Sequence, residues 1–243
     1  MATSDPWRGL RKNRLLASLG ARDAMLLRGR LTRTHWNAGD TIAFPDTRLA
    51  VAYFPETLVA CLGVTQAGSE GTLLGIIGNE GMFGWACLLY ESRDAAQPVS
   101  IVTPGSALAI SGRDLQALCR ASPTLMRALF CYVDSFAGQL QRAMLSQFRD
   151  SLSARLARWL LLLHDRIEGD EIWMTHDQLA AVLHVRRATV TDCLHIIEGE
   201  SALHCTRGCI RVRNRALLER HASISYGDAE RSERTPRTMT AEP

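Results

Sequence analysis

The sequence predicts an α+β chain in three parts: a roll of short antiparallel strands, one long helix, and a smaller helical domain closed by a hairpin. Three observations carry this prediction. Short β-type runs punctuated by Gly, Asp, Asn and Pro fill residues 35–111. At Ser122-Pro123 the apolar spacing switches to three or four residues. From Ser151 onward, short helical patterns lead into two strand-like runs about Gly208.

The β-type runs are TIAF, LAVAYF, LVACLGV, TLLGII, VSIVT and ALAI, and their frequent turns favour a β-roll or barrel. Within them, GIIGNEGMFGW (residues 75–85) places glycine at every third position and closes on Trp85. This is neither G-x-G-x-x-G nor a P-loop, and no helix with a basic residue follows to hold a phosphate. Its glycines are expected to turn the chain.

Ser122 is a candidate N-cap with Pro123 at the first helical position. Leu125, Leu129, Val133, Phe136, Leu140, Met144 and Phe148 then recur at near-heptad spacing. A stripe this long predicts a helix that covers the β-roll and also packs against its twin in a homodimer.

A second helix is expected over Ser151 to Ile167, ended by Gly169-Asp170, with Leu152, Leu156, Trp159, Leu160 and Leu163 facing a core. Next, Thr175 and Gln178 form a capping-box pair, followed by Leu179, Ala180, Val182 and Leu183. His184-Val185 breaks the pattern, and a new helix starts near Arg186 with Val190, Leu194 and Ile197 inside. Two short helices joined by a tight turn, the second opening on arginines, are the pattern of a helix-turn-helix. Arg186 and Arg187 would reach phosphates or guanine edges, Thr189 and Thr191 backbone or bases, and the amides at Thr175 a phosphate.

ALHCTRGCIRVRN then reads as two strands about Thr206-Arg207-Gly208, with Arg207 at the tip of a basic wing. Five arginines between 207 and 220 face a single acid there, Glu219. The tail, residues 223–243, is polar, lacks apolar periodicity and is expected to be disordered.

Composition narrows the function classes. Across 243 residues, 47% are hydrophobic and 22% charged, with 27 arginines, one lysine and a net charge of +3, so placement of charge matters more than its sum. No apolar run is long enough to span a membrane and no signal-peptide pattern opens the chain, so a cytoplasmic location is expected. Seven scattered cysteines lack metal spacing, no metal or cofactor is expected, and no nucleophile elbow, P-loop or HExxH marks an enzyme. Glu80 and Glu91 read as surface carboxylates of loops.

Together these segments resemble the Crp/Fnr family of transcription regulators, over roughly residues 14–221. The resemblance rests on NRLLASL, AYFPETL, GIIGNEGMFG, RLARWLLLLHDRI, THDQLAAVLHVRRATVTDCLHIIEGE and TRGCIRVRNRALLE, in that order. It implies a cyclic-nucleotide-binding-like sensory β-roll (14–122), a dimerisation helix (123–150) and a winged helix-turn-helix (151–222). It also implies a homodimer on double-stranded DNA with a palindromic operator, and RNA polymerase as a further partner of an activator.

The family's groove-reading helix falls on Arg186 to Ile197, with Arg187 in a contacting slot. Departures matter. Ala188 and Asp192 stand where studied members have glutamate and arginine, so the operator should differ. A module that kept the fold but lost DNA recognition is the competing reading. His184 takes a turn slot usually given to glycine. In nucleotide-binding members a Gly-Glu pair is followed by an arginine some ten residues on. Here Gly84 is followed by Trp85, and the nearest basic residue, Arg93, comes early. A cyclic phosphate without its cation is a poor ligand, so these three residues are expected to line a pocket that does not take cyclic AMP. The Fnr cysteine cluster is missing, haem through His35 has no supporting motif, and the effector is unknown.

Overall fold

The computed structural model describes residues 8–42, 51–64, 72–88, 98–222 and 226–227. Two short helices come first, α1 (Arg14–Ala17) and α2 (Ala21–Arg28), neither foreseen from periodicity. Asn13 explains α1. Its side-chain oxygen caps Leu16 N–H at 3.0 Å, while its amide donates to the carbonyls of Pro55 at 2.8 Å and Gly81 at 2.9 Å. One fully buried side chain thus ties the helix start to the end of a strand and to a loop of the roll, and supplies partners for groups that burial would leave orphaned.

The roll comprises β1 (Thr32–Trp36), β2 (Thr41–Ile42), β3 (Val51–Pro55), β4 (Val59–Val64), β5 (Thr72–Ile77), β6 (Val99–Thr103) and β7 (Gly105–Ser111). They form two sheets, ordered β1-β7-β3 and β2-β6-β4-β5. β1 pairs antiparallel with β7 from Thr32 against Ala109 to Trp36 against Gly105. β7 also pairs β3, from Val51 against Ser111 to Pro55 against Ala107. The predicted β-roll is therefore present, extended by β1, of which the sequence reading caught only the end. α3 (Gly112–Ala121), also unforeseen, starts directly after β7 with Ser111 as N-cap, its hydroxyl accepting from Asp114 N–H.

The glycine-rich stretch turns the chain because it must pass close to other atoms. A Cβ on Gly81 would lie 2.0 Å from the Tyr132 ring. Gly84 has φ +81°, and a Cβ there would lie 2.2 Å from the Val51 carbonyl oxygen. Between them, Phe83 exchanges both backbone hydrogen bonds with Tyr53 at 3.0 Å, and the two rings stack with centroids 5.0 Å apart.

α4 (Pro123–Arg149) is the long helix, begun as predicted by Ser122, whose hydroxyl accepts from Leu125 N–H at 3.3 Å. That hydroxyl also donates to Asp23, as does Thr124, so the buried Asp23 carboxylate of α2 secures the helix start. The apolar stripe needs correction, because it merges two faces. Leu125, Leu129 and Phe136 are buried in the chain's own core. Met126, Phe130, Val133, Ala137, Leu140, Met144 and Phe148 form a separate seam, with Met144 65% and Phe148 81% exposed. A helix with 100° per residue accommodates both stripes, offset by one position.

Contacts divide the chain into two units, the division within α4 falling between Ala137 and Gly138. The second unit takes in residues 61–76 of the roll together with α5 (Leu152–His164), β8 (Glu171–Ile172), α6 (His176–Leu183), α7 (Arg187–Gly199), β9 (Leu203–Thr206), β10 (Cys209–Val212) and α8 (Arg215–Ala222). Leu156, Leu160, Leu163, Leu179, Val190, Leu194, Ile197, Leu203, Ile210 and Leu218 make its core. β10 lies between β9 and β8, a short strand the sequence reading missed.

The expected disorder of the tail does not extend to Tyr226, which is buried. Its hydroxyl donates to Asp165 at 2.6 Å and accepts from Arg215 at 2.5 Å, so a phenol surrounded by polar partners pins the chain after α8. Residues 223–225 and 228–243 lie outside those described.

Candidate nucleic-acid interface

The sequence dictates this site's frame in three local steps. At the start of α6, Thr175 Oγ1 accepts from Gln178 N–H at 3.2 Å while Gln178 Oε1 accepts from Thr175 N–H at 2.8 Å, completing the capping box. At its end, His184 adopts φ 55° and ψ 49°, the left-handed conformation that stops the helix and turns the chain. Glycine would hold this conformation with less strain. Arg155 of α5 then donates to the Leu183 carbonyl at 2.7 Å, satisfying one of the acceptors that a helix end leaves unpaired.

After the turn, Arg186 is the N-cap of α7 in extended conformation, one residue before the helix proper. Val190, Leu194 and Ile197 are fully buried, so the rotation of the helix is fixed. Arg186, Arg187, Ala188, Thr189 and Asp192 consequently face outward and are exposed. Among the described residues, Arg186 has no acidic partner, whereas Arg187 Nε lies 3.6 Å from Asp177 Oδ2 of α6. Thr191 differs from Thr189. Its hydroxyl donates to the Arg187 carbonyl at 3.1 Å and lies 2.9 Å from His176 Nδ1, so it is already engaged within the domain.

The hairpin β9–β10 turns at Arg207-Gly208, with Gly208 at φ 75° and Arg207 exposed at the tip. Glu198, near the end of α7, holds this hairpin to the helix. Its Oε1 accepts from Cys205 N–H at 2.8 Å and lies 3.0 Å from His204 Nδ1. The Cys205 amide is the main cause holding the Glu198 carboxyl below its ordinary range, with His204 adding to it.

The basic wing is smaller than the count of five arginines suggested. Arg211 pairs with Glu171 on β8, and Arg215 is held by Asp165, Glu219 and Tyr226. Arg207, Arg213 and Arg220 remain exposed, without an acidic partner among the described residues. Glu219 is a local partner of Arg215, but Glu171 and Asp165 come from segments 40 and 50 residues away, beyond any local count.

In the β-roll, Gly84 and Trp85 come together with α4, while Arg93 lies outside the described residues. Trp85 opens a short 3-10 turn (Trp85–Leu88), and its ring packs on Phe136 with centroids 5.1 Å apart and edge-on to Tyr132 at 6.4 Å. An aromatic cluster thus occupies the ground beside Gly84. His35 is exposed on β1, and no three His, Cys, Asp or Glu side chains among the described residues cluster as a metal site. No helix is long and apolar enough to cross a membrane, among the residues described.

Comparison with known proteins bears on both units. Residues 154–221 match the Crp-like helix-turn-helix domain. The cyclic AMP receptor protein of Thermus thermophilus is 30% identical over 167 residues, which cover 67% of this chain and 74% of that protein. Among solved structures, a CRP-family transcriptional regulator from Thermus thermophilus aligns with TM-score 0.65 at 17% identity, covering 78% of this chain and 96% of the other. FixK2 from Bradyrhizobium japonicum aligns with TM-score 0.66 at 16% identity, over 79% of this chain and 98% of its own. These two structural likenesses establish the fold.

Proposed function

We propose, from the premise that this chain belongs to the Crp/Fnr family of DNA-binding transcription regulators, that it reads a palindromic operator as a homodimer and without cyclic AMP as its signal. The observation that carries the reading is the head of α7. There Arg186, Arg187 and Thr189 project from a helix that follows the left-handed turn at His184 and whose rotation is fixed by buried Val190, Leu194 and Ile197.

In this reading α7 enters the major groove by its N-terminal end. Arg187 spans guanine O6 and N7, Arg186 takes a phosphate, and Thr189 contacts backbone or base, whereas the Thr175 amide, expected from the sequence to hold a phosphate, is already taken by Gln178 Oε1. Thr191 supports the helix from behind, and Arg207 touches the adjacent backbone from the wing. Two-fold pairing along the exposed seam of α4 sets two copies of α7 about 34 Å apart, one for each half-site. The outward Asp192 accepts from a cytosine amino group, which favours an operator unlike that of relatives with arginine there.

The packing of Trp85 on Phe136 and Tyr132 supports a signal other than cyclic AMP, because a ribose and cyclic phosphate would have to displace an apolar cluster. Calorimetric titration with cyclic AMP should give no binding heat, and micromolar affinity would remove this part of the proposal. For the DNA reading, selection from random duplexes should return one palindrome. Arg187→Ala should lower affinity for it by roughly 5- to 150-fold, the worth of one bidentate base contact of about 1–3 kcal/mol. Absence of a preferred sequence, or an Arg187→Ala variant that binds unchanged, would refute it.

A further inference from the structure

Asp177 is an anomaly on a surface meant for a polyanion. It lies 71% exposed in the first turn of α6, on the face where Arg187 projects, and it places a negative charge where phosphates must approach. An acidic residue in a first helical turn is ordinarily explained by the helix dipole. That account does not explain why its Oδ2 lies 3.6 Å from Nε of the arginine that leads the reading helix. Nor does fold stability, since an ion pair this exposed contributes little.

We infer that Asp177 is a positioning residue for base readout: it holds the Arg187 guanidinium toward the groove floor and away from phosphates. The inference rests on the DNA reading above. Its physical logic has two parts. An unrestrained arginine on a helix N-terminus has many rotamers, and those that set it against a phosphate bind every sequence equally. A carboxylate beside Nε leaves the terminal nitrogens free to fork onto a guanine edge and restricts those rotamers before binding. The same carboxylate repels phosphate, so poses in which Arg187 pairs with the backbone are penalised while the guanine pose is not.

The neighbouring contact acts in the same direction. His176, one residue before Asp177, lies 2.9 Å from the Thr191 hydroxyl, and that hydroxyl donates to the carbonyl of Arg187. The first turn of α6 therefore touches Arg187 at both ends: through Asp177 at the side chain, and through His176 and Thr191 at the backbone. The first two turns of α7 cannot shift along α6 without breaking both.

The test is the pair Asp177→Asn and Asp177→Glu, measured in the full-length protein on the selected operator, on an operator mismatched at the base pair read by Arg187, and on unrelated duplex. Asp177→Asn should bind unrelated duplex several-fold more tightly. The slope of log K against log salt should steepen by about one, as for one added phosphate contact. Discrimination against the mismatched operator should fall by roughly 3- to 10-fold. Asp177→Glu, which keeps the charge, should restore most of that discrimination. A purely structural role for Asp177 would shift the melting temperature and weaken all three duplexes together. If Asp177→Asn keeps wild-type discrimination and salt slope, the inference is wrong. Failure of the DNA reading itself is separable, because the wild-type protein would then prefer no sequence.

Discussion

Phe148 offers the sharpest test of how two copies meet. It is the last apolar residue of the exposed α4 seam and stands 81% exposed in the single chain. Fully burying a phenylalanine is worth about 1.5–3 kcal/mol. Scaling by the exposed share gives roughly 1.2–2.4 kcal/mol for each ring. Two-fold symmetry brings two rings to the interface, so Phe148→Ala should weaken the dimer by about 2.4–4.8 kcal/mol, or roughly 1.7 to 3.5 decades in dissociation constant. Because Phe148 makes no part of the protomer's buried core, the variant should keep its secondary structure. Sedimentation equilibrium across nanomolar to micromolar protein would measure the shift. A variant that dimerises like the wild type would refute the assignment of this seam as the interface. So would a wild-type chain that is monomeric at tens of micromolar.

Three further outcomes follow from the packing. Glu56 is buried, and burial alone would raise its carboxyl. Hydrogen bonds from Arg33 at 2.6 and 2.8 Å and from Ser106 at 2.9 Å, together with the Arg33 charge, outweigh this and hold it below the ordinary value. A lowered carboxyl contributes stability that is present above its unfolded value of about 4.3 and lost as pH falls through the folded value. Thermal melts between pH 6 and pH 3 should therefore decline more steeply for wild type than for Glu56→Gln, and parallel declines would show the pair to be inert. Gly84→Ala should lower the melting temperature by at least ~6 °C, since positive φ and a Cβ against the Val51 carbonyl together cost upwards of about 3 kcal/mol; an unchanged melt would contradict the close approach. Tyr226→Phe removes a hydroxyl bonded to the Asp165 carboxylate and to Arg215, and urea unfolding should show a loss of about 1.5–3 kcal/mol.

What could be read in advance, and what could not, divides by sequence distance. The capping box at Thr175, the break at His184 and the inner face Val190, Leu194, Ile197 are local. Each is decided by residues within four positions, and each is found where expected. α1 has no sequence signature because four residues carry no period, and its start is tied to Pro55 and Gly81 through Asn13. The α4 stripe was visible but not its division into two faces, since residues 125 and 126, or 129 and 130, fit the same spacing rule. The charge of the wing was overcounted because Glu171 and Asp165 reach it through tertiary contacts. Asp177 carries no mark in the sequence, because its approach to Arg187 spans the turn between two helices.

The two faces of α4 have a consequence for how such a molecule can be controlled. Leu125, Leu129 and Phe136 complete the protomer's interior from within its own chain, while Met126, Phe130, Met144 and Phe148 lie outside that interior. Pairing along that outer seam, as proposed, would join protomers whose interiors are already complete. A signal that slid or rotated one seam against the other would work between two intact bodies, at the cost of exchanging surface contacts rather than melting a core.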